Sequence, residues 1–420
     1  MLGTAKPHVV IVGGGFAGLN AAHVLARRRA RVTLVDRRNH HLFQPLLYQV
    51  ATAGLSPADI ATPLRSVLRK ALDTRVILAA AERVEPHARR VVLDEGELAY
   101  DALILAAGAT HSYFGHDDWE ALAPGLKTLE DALEIRRRVL LAFEAAERAE
   151  DGAERRALLT LVVIGGGPTG VELAGALAEI ARHTIAGDFR AIDPTQARVV
   201  LLEGGARILS TFPEALARSA AKSLERIGVE VRTGALVTRI TPDAVWVGGE
   251  QIRSRAVLWA AGVAAAPLAR TLGVPLDRAG RIPVAPDLSV PGHPEIFVAG
   301  DLCAFSHGTA GPLPGVAPVA IQQGRAAAVN AWRRLAGEDT LSFRYRDRGS
   351  MATVGRASAV AVVGPLRFSG LPAWLAWLGV HIAFLIGFRN RFLVLFEWAW
   401  AYTTWKRGAR LITGCWRGPA

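Results

Sequence analysis

Two glycine-rich clusters are the residues of this chain whose types and spacing point most directly to chemistry. They are Gly13-x-Gly15-x-x-Gly18, with Asp36 18 residues beyond, and Gly165-x-Gly167-x-x-Gly170, with Glu203 33 residues beyond. Glycines so spaced let backbone approach a pyrophosphate, and a helix opening there offers its free N–H groups to it. An acid at the end of the next strand accepts from a ribose hydroxyl. Two such sites in one polypeptide imply electron transfer between two dinucleotides, because no side chain accepts a hydride reversibly. Glu172 follows the last glycine of the second cluster by two residues. There it is either a working carboxylate or a first-turn acid stabilised by the positive helix end.

Such residues need a strand, a tight turn, a helix and a second strand in register. Residues 9–12 read as a buried strand, 17–28 as a helix and 31–35 as the next strand. The plan restarts with a strand at 159–164, a helix at 171–180 and a strand at 198–202, lengthened by a surface insertion around 183–194. Each copy has a further apolar strand, 100–105 and 257–259, ending in Ala106-Ala107-Gly108 and Ala260-Ala261-Gly262. Gly15 and Gly108 are 93 residues apart, Gly167 and Gly262 are 95, which marks an internal repeat.

The fold class predicted is α/β: two Rossmann-like dinucleotide-binding domains, the second inserted in the first, plus a C-terminal membrane-associating helical segment. The chain returns to the first domain near Ile282, through a strand at 296–299, to Gly300-Asp301. Expected bounds are 1–125 with 282–340 for the first domain, 126–281 for the second, and 341–420 for strands followed by two amphipathic or apolar helices. The stretch after Asp36 reads as a packed connection, 75–95 as short strands, and 127–157 as a helix running into a charged linker.

The chain has 420 residues, room for two or three domains, and a formal charge of +11. Residues 365–420 hold seven Lys or Arg against one Glu, and six of the ten Trp. Trp and Arg around apolar helices point to a membrane interface rather than a nucleic-acid groove, so no nucleic-acid partner is expected. Cys303 and Cys415 are the only cysteines. No CxxC pair exists, so neither thiol–disulfide chemistry nor a metal site is expected. Seven residues precede the first strand, too few for a leader, and the catalytic body is expected to stay where it was made.

The paired clusters and FVAGD at 297–301 resemble the flavoproteins with two dinucleotide-binding domains. More narrowly, DRRNHHLFQPLLYQVATAGL, VVIGGGPTGVELAGALAEI, VAPVAIQQGR and FSGLPAWLAWLGVHIAFLIGFRNRF look like type II NADH:quinone oxidoreductases, a likeness running from about residue 8 to 414. That resemblance implies FAD in the first site. It would lie on Gly13, Gly14, Gly15, Phe16, Ala17 and Gly18, on Asp36 and Arg37, on Gln44 and Tyr48, on Ala107 and Gly108, and on Gly300, Asp301 and Gln322. NADH would take Gly165, Gly167, Pro168, Thr169 and Gly170, with Glu172, Ala261 and Gly262. Glu203 would accept from its ribose and repel a 2′-phosphate, against the nearby charge of Arg207.

The same likeness places Glu172 near flavin and quinone, and implies a ubiquinone or menaquinone acceptor without proton pumping. The family's Ala-Gln-x-Ala-x-Gln motif reads Ala317-Pro318-Val319-Ala320-Ile321-Gln322 here. Pro318 replaces the first glutamine, leaving Gln322, Gln323 or backbone groups for the quinone. Competing readings are a flavin reductase of another acceptor, such as a ferredoxin, and a sensor that binds both dinucleotides without turnover.

Residues 371–388 form an uncharged run of 18, and 392–405 carry Glu397 on a stripe with Asn390 and Thr404. Both are expected to lie in the lipid interface within 371–412, with Arg389, Arg391, Lys406, Arg407 and Arg410 at anionic head groups. The resemblance implies monotopic attachment at the cytoplasmic face of a bacterial inner membrane. A homodimer burying part of the Trp and Leu surface is expected as well.

Overall fold

The structure is a computed structural model describing residues 6–309, 311–404 and 409–413. Lys406, Arg407 and Cys415, singled out above, lie outside the described residues. Along the chain, β1 (His8–Val12), α1 (Phe16–Leu25) and β2 (Arg31–Asp36) form the first βαβ unit, and β3 (Ala102–Leu105) precedes Gly108. The plan repeats in β4 (Thr160–Ile164), α2 (Pro168–Glu179), β5 (Arg198–Glu203) and β6 (Ala256–Trp259). Then come β7 (His293–Val298) and α3 (Ala317–Leu335). The antiparallel β8 (Ser350–Gly355), β9 (Ser358–Val363) and β10 (Leu366–Gly370) lead into α4 (Leu371–Phe384) and α5 (Phe388–Thr404).

The chain packs as two units. Unit 1 runs from the N-terminus to Leu42 and adds Ala61–Thr110 and Val263–Asp347; unit 2 comprises Phe43–Ile60, His111–Gly262 and the chain from Arg348 on. The sheet of unit 1 has the order Ser289–Val290, β7, β3, β1, β2, Thr74–Leu78, parallel except at the Ser289–Val290 edge. Val9, Val10 and Ile11 are fully buried, as a central parallel strand requires. Helices α1 and α3 pack on each other and on the sheet. Gly324 permits that approach, since a Cβ there would lie 2.1 Å from the Ala17 carbonyl oxygen.

Unit 2 has a parallel sheet in the order Val229–Thr233, β5, β4, β6, with Tyr113, Trp119, Ile164, Leu202 and Trp259 in one apolar cluster. The expected charged linker is partly helical, over Gly152–Leu158, because Asp151 caps it by accepting from Ala153 N (3.0 Å) and Glu154 N (3.1 Å). Helix α2 begins at Pro168, three residues earlier than the periodicity suggested. Proline suits a first helical position, where its missing N–H has no partner to lose. Strand β8 lies against α2 at Gly175, where a Cβ would meet the Val354 carbonyl oxygen at 2.0 Å.

The apolar run from 371 breaks into two helices at Gly387, whose φ is +90°. The 14 residues of α4 span roughly 21 Å, short of a bilayer's core of about 30 Å. Among the described residues, no helix is long and apolar enough to cross a membrane.

Candidate functional site

In unit 1 the chain passes from β1 into α1 through Gly13, whose φ is +103° and whose Cβ would lie 2.2 Å from the Ala106 carbonyl oxygen. A Cβ on Gly18 would lie 1.8 Å from the Gly13 carbonyl oxygen. Asp36 accepts from Gly14 N (2.5 Å) and Arg38 N (2.7 Å), so its carboxylate is tied to the turn it serves. Gly13 N donates to Val35 O (2.8 Å), and Ala106 N to Val12 O (2.8 Å).

Unit 2 repeats this atom for atom. Gly165 has φ +109°, and a Cβ on Gly170 would again lie 1.8 Å from its carbonyl oxygen. Glu203 accepts from Gly166 N (2.6 Å) and Gly205 N (2.6 Å). Gly165 N donates to Leu202 O (2.7 Å), and Ala260 N to Ile164 O (2.7 Å). Arg207 turns its guanidinium to the Ser210 carbonyl (2.8 Å).

Gly15 and Gly167 are the N-caps of α1 and α2, and neither helix has a side-chain cap or an acid in its first turn. Elsewhere in the chain Thr128 and Asp151 cap their helices fully. At Gly15 and Gly167 nothing lies within 4 Å of where a Cβ would be. Uncapped amides beside open space form a cradle for an external anion, and the pyrophosphates of FAD and NADH fit it. Phe16 and Ala17 open α1, while Pro168 and Thr169 stand exposed at the start of α2.

The copies differ at their Ala-Ala-Gly ends. Gly108 faces open space, whereas at Gly262 a Cβ would meet the Phe114 ring (2.6 Å) and the Ser112 carbonyl (2.7 Å). Phe114, 69% exposed with φ +53°, carries no sequence signal for this position. Ala107 and Ala261 are both partly exposed beside these glycines.

Gly300 N donates to Gln323 Oε1 (2.8 Å), and Gln323 Nε2 lies 3.6 Å from Cys303 Sγ. The buried Gln323 thus fixes the turn that presents Asp301. Gln322 instead clasps the Arg346 backbone, donating to its carbonyl (2.9 Å) and accepting from its amide (3.0 Å). Pro318 occupies the first turn of α3, where no helical N–H is needed. Arg37 is exposed directly after Asp36. Gln44 and Tyr48 belong to unit 2, where Gln44 donates to the Lys127 carbonyl (3.0 Å) and Tyr48 is buried.

His41 was not foreseen. Its buried ring donates from Nδ1 to the Gly14 carbonyl (3.0 Å) and meets the Phe16 ring edge-on. Burial lowers its pKa, and Nε2 has no hydrogen-bond partner among the described residues. A neutral imidazole therefore stands behind the first glycine turn. Neighbouring histidines in a connecting segment carry no periodicity that would reveal it.

Glu172, expected in a first turn, lies in the second turn of α2, because that helix begins at Pro168. The positive helix end therefore does not account for it. Its carboxyl accepts from Thr353 N (3.2 Å) on β8, and desolvation by burial raises its pKa to about 8. Burial thus favours the protonated form of this carboxyl near neutral pH.

Residues 7–324 match the family model described as pyridine nucleotide-disulphide oxidoreductase. The chain is 45% identical to the type II NADH:quinone oxidoreductase Ndh of Mycobacterium tuberculosis, over 98% of this chain and 92% of that protein. It is 30% identical to a type II NADH:quinone oxidoreductase of Staphylococcus aureus, over 88% of this chain and 92% of that one. In fold it is similar to the structure of NDH2 from Plasmodium falciparum in complex with NADH, at a TM-score of 0.87 and 20% identity, covering 96% of this chain and 99% of the other.

Proposed function

Since the chain belongs to the pyridine nucleotide-disulphide oxidoreductase family, and within it to the type II NADH:quinone oxidoreductases, we propose that unit 1 holds its FAD and unit 2 its NADH. It is a flavoenzyme passing electrons from NADH to quinone without pumping protons. The observation that carries the assignment of sites is the duplicated uncapped glycine turn, each copy with its own strand-end acid. FAD, when bound, supplies the acceptor for a hydride from NADH and the donor of two electrons to quinone. The chain's own residues bind and orient: the amides at Gly15 and Gly167 take the two pyrophosphates, Asp36 and Glu203 the riboses, and Gln323 steadies the Asp301 turn. Glu172 holds one of the two protons that reduction of quinone to quinol takes up.

The test follows flavin absorbance and the oxidation of NADH and NADPH, with and without a short-chain quinone. Fast NADH oxidation requiring quinone is expected. Flavin that NADH bleaches but quinone cannot restore would transfer the reading to another acceptor; flavin that NADH cannot bleach would transfer it to a sensor. Glu203→Gln keeps the shape of the side chain and removes its charge. We expect the preference for NADH over NADPH to fall about tenfold in kcat/KM. An unchanged ratio would show that Glu203 does not face the adenosine ribose.

The tail supports attachment to a lipid surface. Asn390 is buried and Glu397 partly so, while Phe392, Leu395, Phe396 and Trp400 are exposed. Helix α5 thus turns its polar stripe inward and its apolar face outward, the reverse of a helix facing water. The basic residues divide: Arg389 is exposed, Arg391 donates to the Ala383 and Leu385 carbonyls, and Arg410 pairs with Asp188. Phe396→Asp is expected to lower retention on anionic vesicles at least tenfold while flavin content stays as in the wild type. Equal retention would remove α5 from the membrane contact. We place this attachment at the cytoplasmic face, where NADH is found. The outward apolar surface also suits a homodimer, which mass measurement in detergent tests.

A further inference from the structure

In each glycine turn the second glycine is held on three sides, and the two copies differ in one of the groups that hold it. The Gly14 carbonyl accepts from His41 Nδ1 (3.0 Å), while Gly14 N donates to Asp36 Oδ2 (2.5 Å). A Cβ on Gly14 would lie 2.6 Å from Leu64 Cδ1. In unit 2 the Gly166 carbonyl accepts from Leu209 N (2.7 Å), and Gly166 N donates to Glu203 Oε2 (2.6 Å). A Cβ on Gly166 would lie 2.8 Å from Ile208 Cγ2. Acid, aliphatic cover and carbonyl donor thus recur. The donor differs in kind, a main-chain amide in unit 2 and an imidazole in unit 1.

His41 lies on the strand His40–Leu42, which pairs antiparallel with Ala61–Pro63, and that second strand leads directly into Leu64. One ribbon of unit 1 therefore supplies both the donor and the aliphatic cover. The His41 ring is 3% exposed and meets Phe16 edge-on, with centroids 5.0 Å apart. A carbonyl only accepts, so Nδ1 carries the hydrogen; Nε2 has no hydrogen-bond partner among the described residues. The Gly14 carbonyl and the Gly15 N–H belong to one planar trans peptide and point in opposite directions. Holding the carbonyl on a buried ring therefore turns the Gly15 amide away from it. Gly15 is exposed, with nothing within 4 Å of where a Cβ would be.

We infer that His41 is a positioning residue for FAD, locking the Gly14–Gly15 peptide so that the Gly15 N–H faces the diphosphate. The lock rests on this geometry, whereas its assignment to FAD rests on the function proposed above. Without the imidazole, a peptide between two glycines can turn over, since neither residue has a Cβ to resist. The turn would then present a carbonyl oxygen to the diphosphate. A buried carbonyl left without its donor favours the same change. No side-chain substitution removes the amide that does this work in unit 2, so unit 2 is the internal reference.

The experiment uses the full-length flavin-loaded protein in detergent. The FAD dissociation constant, the phosphorus NMR resonances of bound FAD and the affinity for ADP-ribose are measured in the wild type and in His41→Leu, His41→Gln and His41→Asn. Asparagine can place an N–H where Nδ1 stands, glutamine a polar group where Nε2 stands, and leucine fills the space with no donor. FAD should bind at least about tenfold more weakly to His41→Leu and His41→Gln, with its phosphorus resonances displaced. In His41→Asn it should bind within about threefold of the wild type, with the resonances restored. ADP-ribose should bind all of them alike. FAD and ADP-ribose both bound at wild-type strength by His41→Leu would overturn the lock. So would His41→Asn binding FAD no better than His41→Leu, or a loss that glutamine repairs and asparagine does not. A loss of ADP-ribose in place of FAD, repaired by asparagine, would count against FAD in unit 1 and leave the lock standing.

Discussion

Gly18→Ala protein is expected to purify with less than about a tenth of the flavin of the wild type. A Cβ at this position would lie 1.8 Å from the Gly13 carbonyl oxygen and 3.2 Å from Ile11 Cγ2. Both neighbours belong to the turn and the central strand, so nothing flexible can yield. Relief requires α1 to lift from β1, which withdraws its first amides from the pyrophosphate. Gly170→Ala presents the same clash in unit 2, at 1.8 Å from the Gly165 carbonyl oxygen. It should keep its flavin and lose about 100-fold or more in kcat/KM for NADH. The ratio of flavin to protein absorbance reads the first outcome, and stopped-flow bleaching by NADH reads the second. Flavin lost from Gly170→Ala and kept in Gly18→Ala would reverse the assignment of cofactors to units.

The pairing of those two variants could be written down from sequence because it depends on short-range backbone geometry. A strand, a turn with no room for Cβ and a helix N-terminus fix the glycine positions within a few residues, the acid closes the next strand, and the same 1.8 Å approach recurs at the Gly13 and Gly165 carbonyl oxygens. Contacts between elements distant in sequence were not legible. Gln322 and Arg346 meet only because the chain after α3 returns along it, and a glutamine on a helix surface gives no sign of its partner. Phe114 over Gly262 and His41 behind Gly14 depend likewise on loop paths that carry no periodicity. For α5 the stripe of Asn390 and Glu397 was visible. Its direction was not, because hydropathy separates two faces of a helix without saying which one meets protein. Glu172 is the instructive case. Its residue type and place after the glycines were readable, but its environment is made by β8, some 180 residues later, through Thr353 and the packing at Gly175.

That environment makes Glu172→Gln the second decisive variant. Quinone-dependent turnover at pH 7 is expected to fall about 100-fold, the scale of a lost general acid, with flavin content intact. Glutamine still accepts from Thr353 N but carries no transferable proton. In the wild type, desolvation raises the carboxyl to about 8, so the proton is present at neutral pH and turnover should decline as pH rises through that value. The variant's residual rate should show no such limb. The same shift separates a chemical role from a structural one. An acid raised in the folded state contributes stability below its ordinary value of 4.5 that is lost as pH rises through about 8. The uncharged glutamine avoids that loss, so at pH 8 the variant should melt no lower than the wild type. A helix acid needed for folding would instead lower Tm when replaced. Unchanged quinone kinetics with a lowered Tm would leave Glu172 a packing residue and transfer proton supply to another group.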